Sequence, residues 1–174
     1  VFNFVVGGGL LIVQADVIDF AQAYANVATQ FGMSYVNDGA SGNPAILTGT
    51  FAALTSGPFG NVTELKQAST GAIDPGSASG VSLLDTTSGN SALYVLAPET
   101  GFAGAGRAIF VADANFFDGP GNTNGFSNPN NEALWRNMFA LAETSASVPE
   151  PTALALFGLG LAGLGVMRRR KRAS

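Results

Sequence analysis

The last 27 residues limit what the rest of the chain can fold into. From Ala153 to Met167 there is no charged side chain. Pro149-Glu150-Pro151 precedes this run, and Arg168-Arg169-Arg170-Lys171-Arg172 follows it. Each proline fixes its own φ and biases its predecessor towards extended backbone, so the triplet cannot open a helix continuous with the segment before it. The run itself is too rich in glycine to be a stable helix in water, with Gly158, Gly160, Gly163 and Gly165. At about 1.5 Å per residue a helix over 152–167 would be shorter than the roughly 30 Å of a bilayer's hydrocarbon core, a gap that snorkelling arginines narrow. We therefore expect a transmembrane helix at 152–167. The folding unit is expected to be confined to residues 1–143, with 144–148 as linker.

Charge separates the same two parts. All twelve acidic residues lie in the first 150 positions, where Lys66, Arg107 and Arg136 are the only basic ones, a net of −9. Such a surface repels phosphate backbones, so nucleic-acid binding is not expected. The five clustered cations stop translocation and stay on the cytoplasmic side by the positive-inside rule, which places the acidic body outside. The chain has no cysteine and no histidine. That removes disulfides, zinc sites built on these ligands, and every catalytic dyad or triad needing imidazole or thiolate. The body is accordingly read as non-catalytic.

Val148-Pro149-Glu150-Pro151, the Gly- and Leu-rich run and the terminal basic cluster together resemble the PEP-CTERM sorting signal of Gram-negative bacteria, often those that make exopolysaccharide. The resemblance covers 149–172, with the motif at Pro149, Glu150 and Pro151. Arg168, Arg169, Arg170, Lys171 and Arg172 form the membrane stop that sets orientation. The resemblance implies export, retention at the inner membrane, and processing by an exosortase-type transpeptidase. Release to the cell surface or the extracellular matrix would follow, with exopolysaccharide or matrix as further partners.

Within the body, Val1–Val6 runs into Gly7-Gly8-Gly9 and then the apolar Leu10–Val13. Glycines before a strand suit a helix C-cap better than a phosphate loop. Val17, Phe20, Ala21, Tyr24, Val27, Ala28 and Phe31 recur at helical spacing, with Asp16 as cap and Gly32 as stop. Short strands are expected at 34–36, 81–84, 92–96 and 108–112, the middle two as an antiparallel pair. Asn130 is expected to cap a helix through about Ala142, with Trp135 and Phe139 on one face. This order predicts an α/β domain: three layers, a mostly parallel sheet flanked by helices, N-terminally incomplete, with any export signal upstream of Val1. "FNFVVGGGLLIV", "GRAIFVADANFFDG" and "NNEALWRNMFALAE" resemble segments of class I glutamine amidotransferase-like domains. The Cys and His of true glutaminases are absent, so the resemblance implies fold without activity.

Asp113, Asn115 and Asp118 follow a strand's carboxyl end, where open α/β sheets place ligands. Their oxygens would suit calcium, but the spacing is not that of an EF-hand loop, and Asp and Asn also shape turns without any ligand. The turn role is preferred and no cofactor is expected. Phe116, Phe117, Phe126 and Trp135 are assigned to the core. Two functions follow. The first is an exported envelope or matrix protein with a non-catalytic body and a removable signal. The alternative is an extracellular carboxylate- or calcium-dependent hydrolase or carbohydrate-acting protein.

Overall fold

The computed structural model describes residues 1–15, 21–38, 45–67, 71–117 and 125–145. α1 (Phe2–Val6) ends at Gly7 and Gly8. The Gly7 N–H donates back to Asn3 O, and Gly8 takes a φ of +107°, which turns the chain into β1 (Leu10–Gln14). α2 (Ala21–Thr29) closes at Gly32 in the left-handed region and leads to β2 (Ser34–Val36). A compact set of short elements follows: β3 (Ala45–Ile46), α3 (Ala52–Thr55), β4 (Ser56–Gly57), β5 (Gly60–Asn61) and β6 (Glu64–Leu65). Then come β7 (Ala72–Asp74), β8 (Val81–Asp85), β9 (Ser91–Leu96), β10 (Arg107–Val111) and α4 (Pro129–Ser145). Single 3₁₀ turns sit at Pro98–Thr100 and Ala114–Phe117.

Six strands form one sheet in the order β1-β10-β9-β7-β2, with β8 also on β9. β3 pairs β6 and β4 pairs β5 in two separate small ladders. Only β1 and β10 run parallel, in the register Leu10↔Arg107 to Gln14↔Val111. Every other described pairing is antiparallel. The expected three-layer, mostly parallel α/β domain is therefore wrong. The fold is mixed and sheet-rich, its sheet curled into half a barrel. Connection length explains the error. β8 and β9 are joined by a tight turn in which the Thr86 N–H donates to Asn90 O and Gly89 takes φ +83°, and β9 reaches β10 through one 3₁₀ turn. Neither link carries the crossover helix that parallel neighbours need. The expected transmembrane helix at 152–167 lies outside the described residues. Among the described residues no helix is long and apolar enough to cross a membrane.

The continuous apolar strands that suggest a parallel sheet are real, but they arise from burial on both faces. Ile109 and Val111 of β10 and Leu93 and Val95 of β9 enter one core with Leu134, Met138 and Leu141 of α4. Their alternates Ala108, Phe110, Tyr94 and Leu96 enter a second core with Tyr24 and Ala28 of α2. Two faces covered by apolar neighbours erase the polar alternation that normally marks an antiparallel strand.

α4 begins earlier than expected. The Asn128 Oδ1 accepts from the Asn130 N–H at 2.9 Å and the Asn131 N–H at 3.3 Å, which makes Asn128 the cap and Pro129 the first helical residue. Asn130, the expected cap, instead accepts the Thr63 N–H at 3.4 Å.

Candidate functional site

β1 and β10 end side by side at Gln14 and Val111, and the chain turns at Asp113. Asp113 is fully buried. Its Oδ1 accepts the backbone N–H of Asn115 at 2.7 Å and the Asn115 Nδ2 at 2.9 Å. Gln14 Nε2 reaches across from β1 to donate to Ala114 O at 2.9 Å. These bonds open the 3₁₀ turn, the task expected of an aspartate at this place. Asp113 and Asn115 are thus brought together, with one oxygen of the carboxylate already accepting twice. Asp118 lies outside the described residues. Among the described residues no three His, Cys, Asp or Glu side chains converge on a point that could hold a metal.

Two asparagines of α4, Asn131 and Asn137, are fully buried. Asn131 Nδ2 donates to Lys66 O at 2.8 Å and Phe116 O at 3.2 Å, and its Oδ1 accepts the Lys66 N–H at 3.0 Å. Asn137 Nδ2 donates to Leu54 O at 2.9 Å and Gly60 O at 3.1 Å, and its Oδ1 accepts the Phe59 N–H at 3.0 Å. The segments around β4, β5 and β6 are too short to satisfy their own backbone, and α4 does it for them. Sequence reasoning missed both residues. Their spacing, six apart on a helix that also carries Leu134 and Met138, was the available signal.

The aromatic residues assigned to the core divide. Phe116 is fully buried. Phe117, Phe126 and Trp135 are only partly buried and meet as a cluster, Phe117 to Trp135 at 4.4 Å and Phe126 to Trp135 at 6.1 Å between ring centres. Phe139 stacks edge-on against Trp135 at 4.5 Å, so the two do share a face, yet Phe139 is 51% exposed. Trp135 and Phe139 line an open groove of about 350 Å³ with Leu10, Ile12, Gln14 and Ala142. On the opposite face of the sheet, burial pushes the Tyr24 phenol well above its ordinary value, and Tyr35 beside it adds to the effect.

Pro149, Glu150, Pro151 and the basic residues Arg168, Arg169, Arg170, Lys171 and Arg172 lie outside the described residues. Their assignment rests on sequence comparison. Residues 147–171 match the family model of the PEP-CTERM protein-sorting motif. The chain carries that motif, and with it the mark of an exported protein sorted by exosortase. No curated protein and no solved structure matches the chain, and the body's resemblance to glutamine amidotransferase-like domains has no support.

Proposed function

We propose that this chain is an exosortase substrate whose body works outside the cytoplasm as a non-catalytic structural or binding module of the envelope or matrix. The supporting observation is the sorting motif at 147–171. Its three parts divide the work. The apolar run holds the chain at the inner membrane, the basic cluster sets direction, and Pro149-Glu150-Pro151 presents an extended segment at the bilayer surface. A membrane-embedded transpeptidase needs its substrate extended and at fixed depth, and two prolines keep the segment from joining whatever follows. The body's lack of cysteine and histidine supports a role without nucleophilic or imidazole chemistry. Intact-mass analysis of the mature protein from an exosortase-positive host tests the reading. The mature chain should lack residues from about Pro151 onward, a boundary set by the stiff triplet, and Glu150→Ala should leave a longer, membrane-retained form. A wild-type chain still ending at Ser174 in that host would overturn it.

A further inference from the structure

The face of β1 that carries Leu10, Ile12 and Gln14 forms one wall of the open groove, and Trp135, Phe139 and Ala142 of α4 form the other. Among the described residues no lining side chain is charged. Leu10, Ile12 and Trp135 lean on the core behind the groove, so its floor is fixed, while Phe139 stands half exposed. The Trp135 ring is wedged between Phe117 and Phe139. An exposed apolar patch of this kind marks a binding surface, and an indole with one polar edge suits the boundary between water and lipid.

Position narrows the choice of partner. The groove lies towards the C-terminal end of α4, with Phe139 only about 9 Å along the axis from Ser145. Ser145 and Ala153, where the uncharged run begins, are eight positions apart. Whatever their conformation, eight residues cannot span more than about 29 Å. A compact body of this size is about 35–40 Å across. A body tethered so closely to a bilayer cannot lift away from it by its own width, and the end of α4 is the part held nearest.

We propose that, in the membrane-retained form, the groove between β1 and α4 seats on the bilayer surface, with Trp135 and Phe139 among the headgroups and upper acyl chains. The inference rests on the membrane retention proposed above. Charge does not supply the attraction, because a body at −9 is repelled by anionic headgroups. The contact is apolar, driven by removal of aromatic and aliphatic surface from water. The short tether completes it by holding the groove at high effective concentration beside the lipid. When the signal is removed that concentration is lost, and the body leaves the surface.

Trp135 is the only tryptophan of the chain, so its emission reports the body and not the tail. The full chain is reconstituted into phosphatidylcholine vesicles with and without bromine on the acyl chains near the headgroup, and co-flotation with the vesicles is measured in parallel. Brominated lipid should quench most of the Trp135 emission. Phe139→Asp and, separately, Ala142→Asp in the full chain should co-float as before and lose most of that quenching. Near-UV circular dichroism identifies which variants keep the body folded, and two positions in one groove keep the result from hanging on either. Co-flotation with emission untouched by bromine overturns the inference and leaves membrane retention standing, and a blue shift without quenching would make a second copy the occupant. Undiminished quenching in the folded variants overturns it too, since another surface then touches the lipid. A full chain that does not co-float overturns the retention reading itself, and the inference with it.

Discussion

Asn137 ties three backbone groups, those of Leu54, Phe59 and Gly60, to one helix. In Asn137→Ala, the carbonyl of the fully buried Leu54 loses this donor, as does that of the exposed Gly60. Leaving such a group unpaired costs about 1–3 kcal/mol, so the urea midpoint should fall by that order. An unchanged midpoint would mean that water or a shifted backbone replaces the amide. Gly57 belongs to the same joint, since a Cβ there would sit 2.5 Å from the Asn137 Oδ1 and from Ala53 O. Tyr24 makes the opposite case. Its hydroxyl is buried with no hydrogen-bond partner among the described residues, and burial raises its pKa. The folded state therefore holds the proton more tightly than the unfolded chain, where tyrosine titrates near pH 10. Its contribution is whole below about pH 10 and is lost as pH rises towards the higher folded value. Tyr24→Phe should be neutral or stabilising at pH 7 and should flatten the decline of Tm above about pH 10. Tyr94, raised also by partial burial, keeps part of that decline in place.

At the scale of elements, α4 is the organising helix, and its start is open to a comparative test. Asn128→Ala should destabilise the body by about 1 kcal/mol through loss of the cap. Asn130→Ala should cost less, because among the described residues its side chain makes only a long bond to the Thr63 N–H. Equal effects in thermal melts would move the cap back to Asn130. What the sequence made legible here follows from local rules. The helix–glycine–strand step at α1, the stop at Gly32, the β8–β9 pair and the shared face of Trp135 and Phe139 are all set by neighbours within a few positions. What misled was the apolar continuity of β9 and β10. Burial on two faces looks the same in a parallel sheet and in this curled antiparallel one, and only the missing crossover helices distinguish them. The two-residue strands between Ala45 and Leu65 have no period to read. The buried asparagines could be placed among the apolar positions of their helix, but their bonds could not be read, because the partners, such as Lys66 and Phe116 for Asn131, come from distant parts of the chain. At the turn after β10, Asp113 and Asn115 were recognisable as turn formers, and the short bonds between them are what that residue pair provides.

The whole molecule is organised by a charge asymmetry across an uncharged run. A body at −9 and a terminal cluster of five cations cannot exchange sides of a membrane at equal cost. Clustered lysines and arginines are retained on the cytoplasmic side, where anionic lipid headgroups attract them by about 1 kcal/mol per residue near the surface. Acidic residues contribute little to orientation, so under the proposed function the five cations alone would set it. In a host lacking exosortase, where the signal stays attached, protease added to intact spheroplasts should digest the body and leave a C-terminal tag protected. Deleting Arg168 to Arg172 should remove the bias and release body into the soluble fraction. Restoring five lysines in their place should recover both protection and retention, because charge and not guanidinium geometry does the work. If the body instead survives protease while the tag is cut, the body faces the cytoplasm, and the cluster does not set the direction of the chain.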